Sequence, residues 1–302
     1  MQLEHTHKQN QPGTSQSTRD RDLAIIRRAY AKQIMFAAGV TDPRIEAALA
    51  NLRREAFLQP GPWPIMQPMR GYRMTPDDNP VYLYQDVLVG IVPEKGLNNG
   101  QPSFLIFLIS LGRPREGERI VHIGAGQGYY TAVMSELVGT AGHVTAIEYE
   151  HDLAMRATAN LSEFSHVRVL EGDGTTMPLD FCDVMYVNAG AVRPMNTWLD
   201  ALNDGGRLVL PLTTSYTTDQ GHAMTRGAIF LIERQGGDYI AQWKSATGIY
   251  PCFGGRDAVS ESALNEAFEK GGWEKVTRLY RSEQIEPERC WVRGPDWSLA
   301  YS

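Results

Sequence analysis

The sequence predicts an α/β fold: a mostly parallel sheet with helices on both faces and an antiparallel hairpin on its edge. Three observations predict it. From residue 118 the apolar runs RIVHIG, HVTAIEYE, HVRVLEGDG, CDVMYVNAG and GGRLVLPL alternate with the helical patterns TAVMSELV, DLAMRATANLSEF and MNTWLDALN, as βαβ units do. The first of these runs ends in VHIGAGQGYY, a glycine turn between a strand and a helix. Finally, GAIFLIER and DYIAQWKS, joined by QGG, read as a hairpin.

Composition sets the outer bounds. A chain of 302 residues, 42% hydrophobic and 21% charged, can bury a sizeable core. No run of apolar residues is long enough to span a bilayer, and the polar N-terminus lacks a signal-like apolar stretch, so a cytoplasmic protein without a membrane partner is expected. Cys182, Cys252 and Cys290 stand far apart in no paired spacing, which argues for buried free thiols and against a disulfide framework or a metal site. A net charge of −6 offers no broad basic surface, so no nucleic-acid partner is expected. The oligomeric state is left open.

Taken in order, residues 1–18 are polar and apolar-poor and read as a disordered tail. Structure is expected from Asp20, with Leu23, Ile26, Tyr30 and Ile34 at helical spacing and Gly39 ending the helix. A second helix follows, capped by Thr41 or Asp42, with Pro43 in its first turn and Ile45, Leu49 and Leu52 as its buried stripe. Four prolines make PGPWPIMQPMRGYRM an irregular connector before VYLYQDVLVGIV. Residues 19–117 thus form an N-terminal helical and loop region, 118–255 the cofactor-binding core, and 256–302 an extension. The extension contains a helix over Ser260–Lys270 and strand-like pieces at RLYR, CWVRG and WSLAY. Leu264, Ala267 and Phe268 share one face of that helix, and with Trp273, Trp291 and Trp297 they predict that the extension packs on the core.

The glycine turn carries the functional reading. Gly124 permits the tight turn, Gly126 lets a ligand approach the backbone, and Gly128 lets the helix pack close to the strand. A dinucleotide fingerprint would place its third glycine at position 129, which is Tyr129; the GxGxG spacing instead favours a nucleoside cofactor without phosphates, S-adenosylmethionine. Glu148 ends the next strand, where a carboxylate accepts both ribose hydroxyls. Asp173 and Gly174 follow the third strand, beside the adenine, and Asn188 follows the fourth. The candidate cofactor residues are therefore Gly124, Ala125, Gly126, Gly128, Tyr129, Glu148, Tyr149, Asp173, Gly174 and Asn188.

These residues, in this order, resemble the protein-L-isoaspartate O-methyltransferase family. The likeness runs from GVTDPRIEAALANLRREAFL through the glycine turn and GDG to GGRLVLPL and FLIERQGGDY, over roughly residues 20 to 250. It implies the Rossmann-like class I methyltransferase fold with a seven-stranded sheet, S-adenosylmethionine as cofactor, and methyl transfer to a carboxylate, in the family that of an isoaspartyl side chain. Two departures stand out. Where the family's loop usually reads like TISQP with a serine at the active site, this chain has Asn98-Asn99-Gly100-Gln101-Pro102, and where the family has an acid before the glycine turn it has His122.

A carboxylate is already ionised at neutral pH, so loss of the serine does not by itself forbid the chemistry. Either the amides of Asn98, Asn99 and Gln101 orient the acceptor, or LNNG is simply a turn. The acceptor is a protein, a peptide or a small-molecule carboxylate. Two alternatives stay open: a methyltransferase of the same fold with a small-molecule or particular peptide substrate, and an S-adenosylmethionine-binding protein without turnover. For His122, the resemblance implies a place near the methionine end of the cofactor, where only a neutral imidazole is favourable, so that cofactor affinity falls as pH drops through ~6.5.

Overall fold

The computed structural model describes residues 12–217, 223–281 and 285–302. Helix α1 (Pro12–Ala38) begins earlier than Asp20, so the part of the expected tail from Pro12 onward is helical, while residues 1–11 lie outside the described residues. Gly39 follows α1 at a φ of 64°. Asp42 caps α2 (Pro43–Asn51) by accepting a hydrogen bond from Arg44 N at 2.9 Å, and Ile45 and Leu49 are buried from it.

The proline-rich connector is more regular than its composition suggests. Strands β1 (Pro64–Gln67) and β2 (Gly71–Met74) form a small hairpin, with Pro64 at a strand end where its missing N–H is harmless. A second short ladder, β3 (Gly90–Val92) with β4 (Leu97–Asn98), leads into α3 (Pro102–Gly112). Helix α3 is absent from the sequence reading because PSFLIFLISLG is apolar on every side and shows no stripe. It is buried between α1 and the main sheet, with Leu105, Ile106, Leu108 and Ile109 all in the core.

The βαβ alternation is realised as β5 (Arg119–Ile123), α4 (Tyr129–Val138), β6 (His143–Glu148), α5 (His151–Asn160), β7 (Val167–Glu171), β8 (Cys182–Val187), α6 (Asn196–Ala201) and β9 (Leu202–Thr217). The hairpin β10 (Ala223–Gln235) and β11 (Asp238–Thr247) follows, then α7 (Ala258–Lys270) and strands β12 (Arg278–Arg281), β13 (Cys290–Arg293) and β14 (Trp297–Ala300). The sheet runs β7-β6-β5-β8-β9-β10-β11-β12-β14-β13. Pairing is parallel from β7 to β9 and antiparallel beyond.

Seven of these strands are the expected set, but among the described residues the sheet has ten. The hairpin is not its edge, because β12 pairs with β11 at Tyr239 and Ile240 and carries β14 and β13 outward. The same strands bring Trp291 and Trp297 against α7, where Leu264, Ala267 and Phe268 are buried, so the extension continues the core on that sheet face. Order reverses at β5: the chain steps outward through β6 and β7, then returns to place β8 on the other side of β5. A crevice opens at the carboxyl ends of strands at such a switch point.

Candidate active site

A cleft of about 1050 Å³, its mouth included, opens over the carboxyl ends of β5, β6 and β8. Its floor is the glycine turn. Gly124 N and Ala125 N donate to Ile147 O at 2.9 and 3.1 Å, which folds the turn onto β6, and a side chain at Gly124 would press on Asn188 O at 3.3 Å. Gly126 (φ 57°) faces open space, whereas a Cβ on Gly128 would lie 2.8 Å from Leu161 Cδ1. Gly126 thus leaves room for a ligand, and Gly128 lets α4 pack beside Leu161 without lining the cleft.

Glu148 is the best-held polar side chain of this end. Its Oε2 accepts from Gly126 N at 2.7 Å and its Oε1 from Glu150 N at 3.0 Å, so both oxygens are fixed and each keeps capacity for another donor. Burial raises its pKa, with the backbone donors pulling the other way. Asp173 Oδ1 accepts from Thr175 N and Thr175 Oγ1 at 2.9 and 2.6 Å, while a Cβ on Gly254 would sit only 2.2 Å from Oδ2. Asn188 hangs from β8 through its N–H to Ile123 O at 2.8 Å.

A strap from the loop after β11 closes this end. Gly190 N donates to Tyr250 O at 2.7 Å and Cys252 N to Gly190 O at 2.9 Å. The ring of Phe253 stacks on Tyr149 with centroids 6.1 Å apart and planes 25° from parallel, both rings more than half exposed at the mouth.

Asn98, Asn99, Tyr129, Tyr130 and Arg54 also line the cleft. Asn98 Oδ1 accepts from Gly100 N at 2.9 Å, the bond of an Asx turn. Asn99 Oδ1 accepts from Val89 N at 3.0 Å and from Arg54 Nη2 at 3.3 Å. Both side chains thus brace the loop as well as line the cleft. Gly100 has a φ of 76°, and a Cβ there would lie 2.3 Å from Leu105 Cδ1, so the loop is built around the absence of a side chain at the position where the resemblance implies a serine.

Most candidate residues come together: Gly124, Ala125, Gly126, Tyr129, Glu148, Tyr149, Asp173, Gly174, Asn188, Asn98 and Asn99 all line the one cleft. Besides Gly128, two do not. Gln101 points outward and donates to Asp86 Oδ2 at 3.0 Å. His122 lies on the other sheet face, fully buried, its Nδ1 2.9 Å from Thr131 Oγ1 and its ring 5.1 Å from that of Tyr186. Strand alternation explains this, since Ile123 faces the cleft and its neighbour His122 must face away. Burial pushes the pKa of His122 down to about 3, so the expected titration near neutrality does not apply.

The sequence reading missed Arg54, Tyr130 and the strap Tyr250–Gly254. Arg54 reads as one of several surface cations in NLRREAFL, and nothing local marks it as the inward one. GIYPCFGG carried a usable signal, because paired glycines beside two aromatics suit a close backbone approach to a ligand.

Comparison with known proteins gives a consistent picture. The profile of the family described as Protein-L-isoaspartate(D-aspartate) O-methyltransferase matches residues 73–241. The chain is similar to Protein-L-isoaspartate O-methyltransferase 1 of Rhodopseudomonas palustris (strain HaA2), 32% identical over 211 residues that cover 68% of this chain and 77% of that protein. A Protein-L-isoaspartate O-methyltransferase from another strain of that organism is 32% identical over 63% of this chain and 79% of its own length. Among solved structures, a protein-L-isoaspartate O-methyltransferase superposes with a TM-score of 0.58 at 22% identity, over 84% of this chain and 73% of that one, a likeness of fold.

Proposed function

The chain belongs to the protein-L-isoaspartate O-methyltransferase family of class I S-adenosylmethionine-dependent methyltransferases, and from that premise we propose that it methylates the free carboxylate of an isoaspartyl residue in a protein or peptide. The residues present fit the cofactor. Glu148, held by two backbone N–H groups and buried, has acceptor capacity facing the cleft for ribose hydroxyls. The bare backbone of Gly124–Gly126 leaves space for the amino-acid chain, and Asp173, Tyr149 and Phe253 surround the place of the base. When bound, S-adenosylmethionine would supply a sulfonium methyl group to an acceptor oxygen, and a carboxylate acceptor would need no proton removed.

The protein's own part is to bind, align and exclude water. The observation that carries the acceptor class is the make-up of the far end of the cleft. Arg54, Phe57, Leu58, Ile91, Leu97, Asn98, Asn99, Tyr129 and Tyr130 include no Asp, Glu or His to take a proton. An amine or phenol would need such a base; a carboxylate, with an ordinary pKa near ~4, does not. Asn98 and Asn99 brace the loop that presents the acceptor, and the Gly100 backbone stands where the resemblance implies a hydroxyl. The three cysteines, all free and buried, suit a reducing, cytoplasmic setting.

The test is incubation with methyl-labelled S-adenosylmethionine and an isoaspartyl peptide, its aspartyl twin and a cell extract. Base-labile label on the isoaspartyl peptide alone is expected. Label confined to small molecules of the extract, or cofactor binding without transfer, would overturn the isoaspartyl reading.

A further inference from the structure

The strap and the C-terminal extension both lie beyond residue 241, where the match to the family profile stops, yet both meet the cleft through one loop, residues 188–196 after β8. Gly190, two residues past the cleft-lining Asn188, accepts at its carbonyl from Cys252 N at 2.9 Å and from Arg256 Nη1 at 3.2 Å. Arg256 also donates to Thr213 Oγ1 at 3.4 Å and to Glu261 of α7. Val192 N donates to Gly255 O at 3.2 Å. Arg193 then stands between two carboxylates of the extension: its Nε lies 3.4 Å from Asp257 Oδ2, and its Nη1 donates to both oxygens of Asp296 at 3.1 and 3.2 Å. Asp257 caps α7 by accepting from Ser260 N at 2.8 Å, and Asp296 sits in the turn between β13 and β14, where it also accepts from Asn196 Nδ2 at 2.9 Å.

The relative size of two effects says what these pairs are for. The extension is fixed to the core by burial of Leu264, Phe268, Trp291 and Trp297, beside which partly exposed ion pairs add little. The strap has no such apolar anchor at its tip, where Phe253 is more than half exposed, and small forces decide its position. It lies close enough over the cleft that a Cβ on Gly254 would meet Asp173. We propose that the extension is a latch: through Arg193 and Arg256 it holds the strap shut over the glycine-turn end of the cleft and so sets how fast the cofactor exchanges. This deepens the reading above and rests on it for the place of the cofactor. Arg193 and Arg256 are positioning residues, since neither lines the cleft. Because the Arg193 pairs are partly exposed, salt screens them, and exchange quickens as ionic strength rises.

The strap carries its own probe. Cys252 is buried when the strap is shut, and burial pushes its thiol up to about 11, so alkylation reports opening. Cys182, wholly buried in β8, reports unfolding of the core in the same sample. The full chain is treated with N-ethylmaleimide and the two sites are followed by mass spectrometry, in the wild type, Arg193→Met and Arg193→Lys, with and without S-adenosylhomocysteine. In the empty protein Arg193→Met is expected to label Cys252 about fivefold faster, the worth of the lost pairs, with Cys182 unchanged and Arg193→Lys in between. S-adenosylhomocysteine is expected to protect Cys252 in the wild type and to dissociate faster from Arg193→Met in stopped flow. Equal Cys252 rates in all three proteins, or Cys252 and Cys182 quickening together, would overturn the latch, and a faster Cys252 with unchanged dissociation would overturn its control of exchange. Faster Cys252 labelling in Arg193→Met, with S-adenosylhomocysteine bound to the wild type but giving no protection there, would support the latch and refute the place given to the cofactor.

Discussion

The two ends of the cleft have opposite electrical character. At the glycine-turn end the side chains accept: Glu148 and Asp173 are carboxylates fixed by backbone or hydroxyl donors, under a strap that shields them. Around Arg54 the lining is neutral or cationic: the guanidinium donates to backbone carbonyls and to Asn99 Oδ1, and Asn98 Oδ1 accepts from Gly100 N. The difference bears on the proposed cofactor, since fixed carboxylate acceptors suit the hydroxyl donors of a nucleoside at the first end.

The largest effect on this arrangement is expected from Glu148→Gln. The amide must turn its NH₂ toward either Gly126 N or Glu150 N, so the variant loses the charge and sets donor against donor. S-adenosylhomocysteine affinity is expected to fall about thirtyfold, roughly 2 kcal/mol, by calorimetry; a change within twofold would remove Glu148 from the cofactor site. Wild-type affinity should also weaken as pH falls through the Glu148 pKa, which burial sets above the ordinary ~4.3. The sign is reversed for the empty protein. A carboxyl whose pKa is raised by folding disfavours the ionised state, so the Glu148 contribution to stability improves as pH falls through that pKa.

Gly100→Ser sharpens the comparison from the other end. The sequence alone makes it an attractive restoration of a missing hydroxyl. The left-handed backbone and the nearness of Leu105 make it instead a strained substitution, expected to destabilise by about 1 to 2 kcal/mol without gain of turnover. Thermal unfolding of Gly100→Ser beside Gly100→Ser with Leu105→Ala checks this, because the truncated Leu105 removes the clash but not the φ strain. Raised isoaspartyl methylation in the single variant would show that the hydroxyl, and not the fold of the loop, limits the reaction.

The two ends also differ in how far the sequence exposes them, and the reason is physical. Gly124, Glu148, Asp173 and Asn188 each stand at or within two residues of the end of a strand of the parallel sheet, so strand periodicity alone places them on one edge. The surroundings of Arg54 have no such frame. Arg54 lies in a 3₁₀ turn after α2, and it meets Asn99 and Val87 only because the non-repeating segment 58–100 folds back over it. The ten-stranded sheet was hidden similarly: RLYR, CWVRG and WSLAY read as strands, but their order beyond the hairpin depends on non-local pairs such as Tyr239 with Leu279 and Arg278 with Ala300.

Phe253→Ala is expected to act more gently. Removing the ring leaves the backbone pairing of the strap with Gly190 intact and takes away only the stack on Tyr149. Cofactor affinity should fall about fivefold, ~1 kcal/mol, with the KM for the acceptor nearly unchanged. An effect on acceptor KM larger than that on cofactor binding would assign the strap to the other substrate.

The smallest effect on the cleft is expected from His122. Its imidazole is separated from the cofactor end by the β5 backbone and is held against Thr131 and Tyr186. With a folded pKa of about 3 it stays neutral at any pH where the protein works. Cofactor affinity should therefore follow the same pH profile in wild type and His122→Asn, and separate profiles would bring the imidazole back into the site. The residue should show instead in stability. An unfolded histidine titrates near ~6.5, so between that pH and about 3 the unfolded chain holds a proton that the folded chain refuses. The stabilisation is complete above ~6.5 and is lost as pH falls. His122→Asn leaves a void and should melt lower near pH 7, but it carries no such acid penalty. The gap in melting temperature between the two proteins is expected to narrow as pH is lowered toward about 5, where the wild-type histidine alone accounts for roughly 2 kcal/mol.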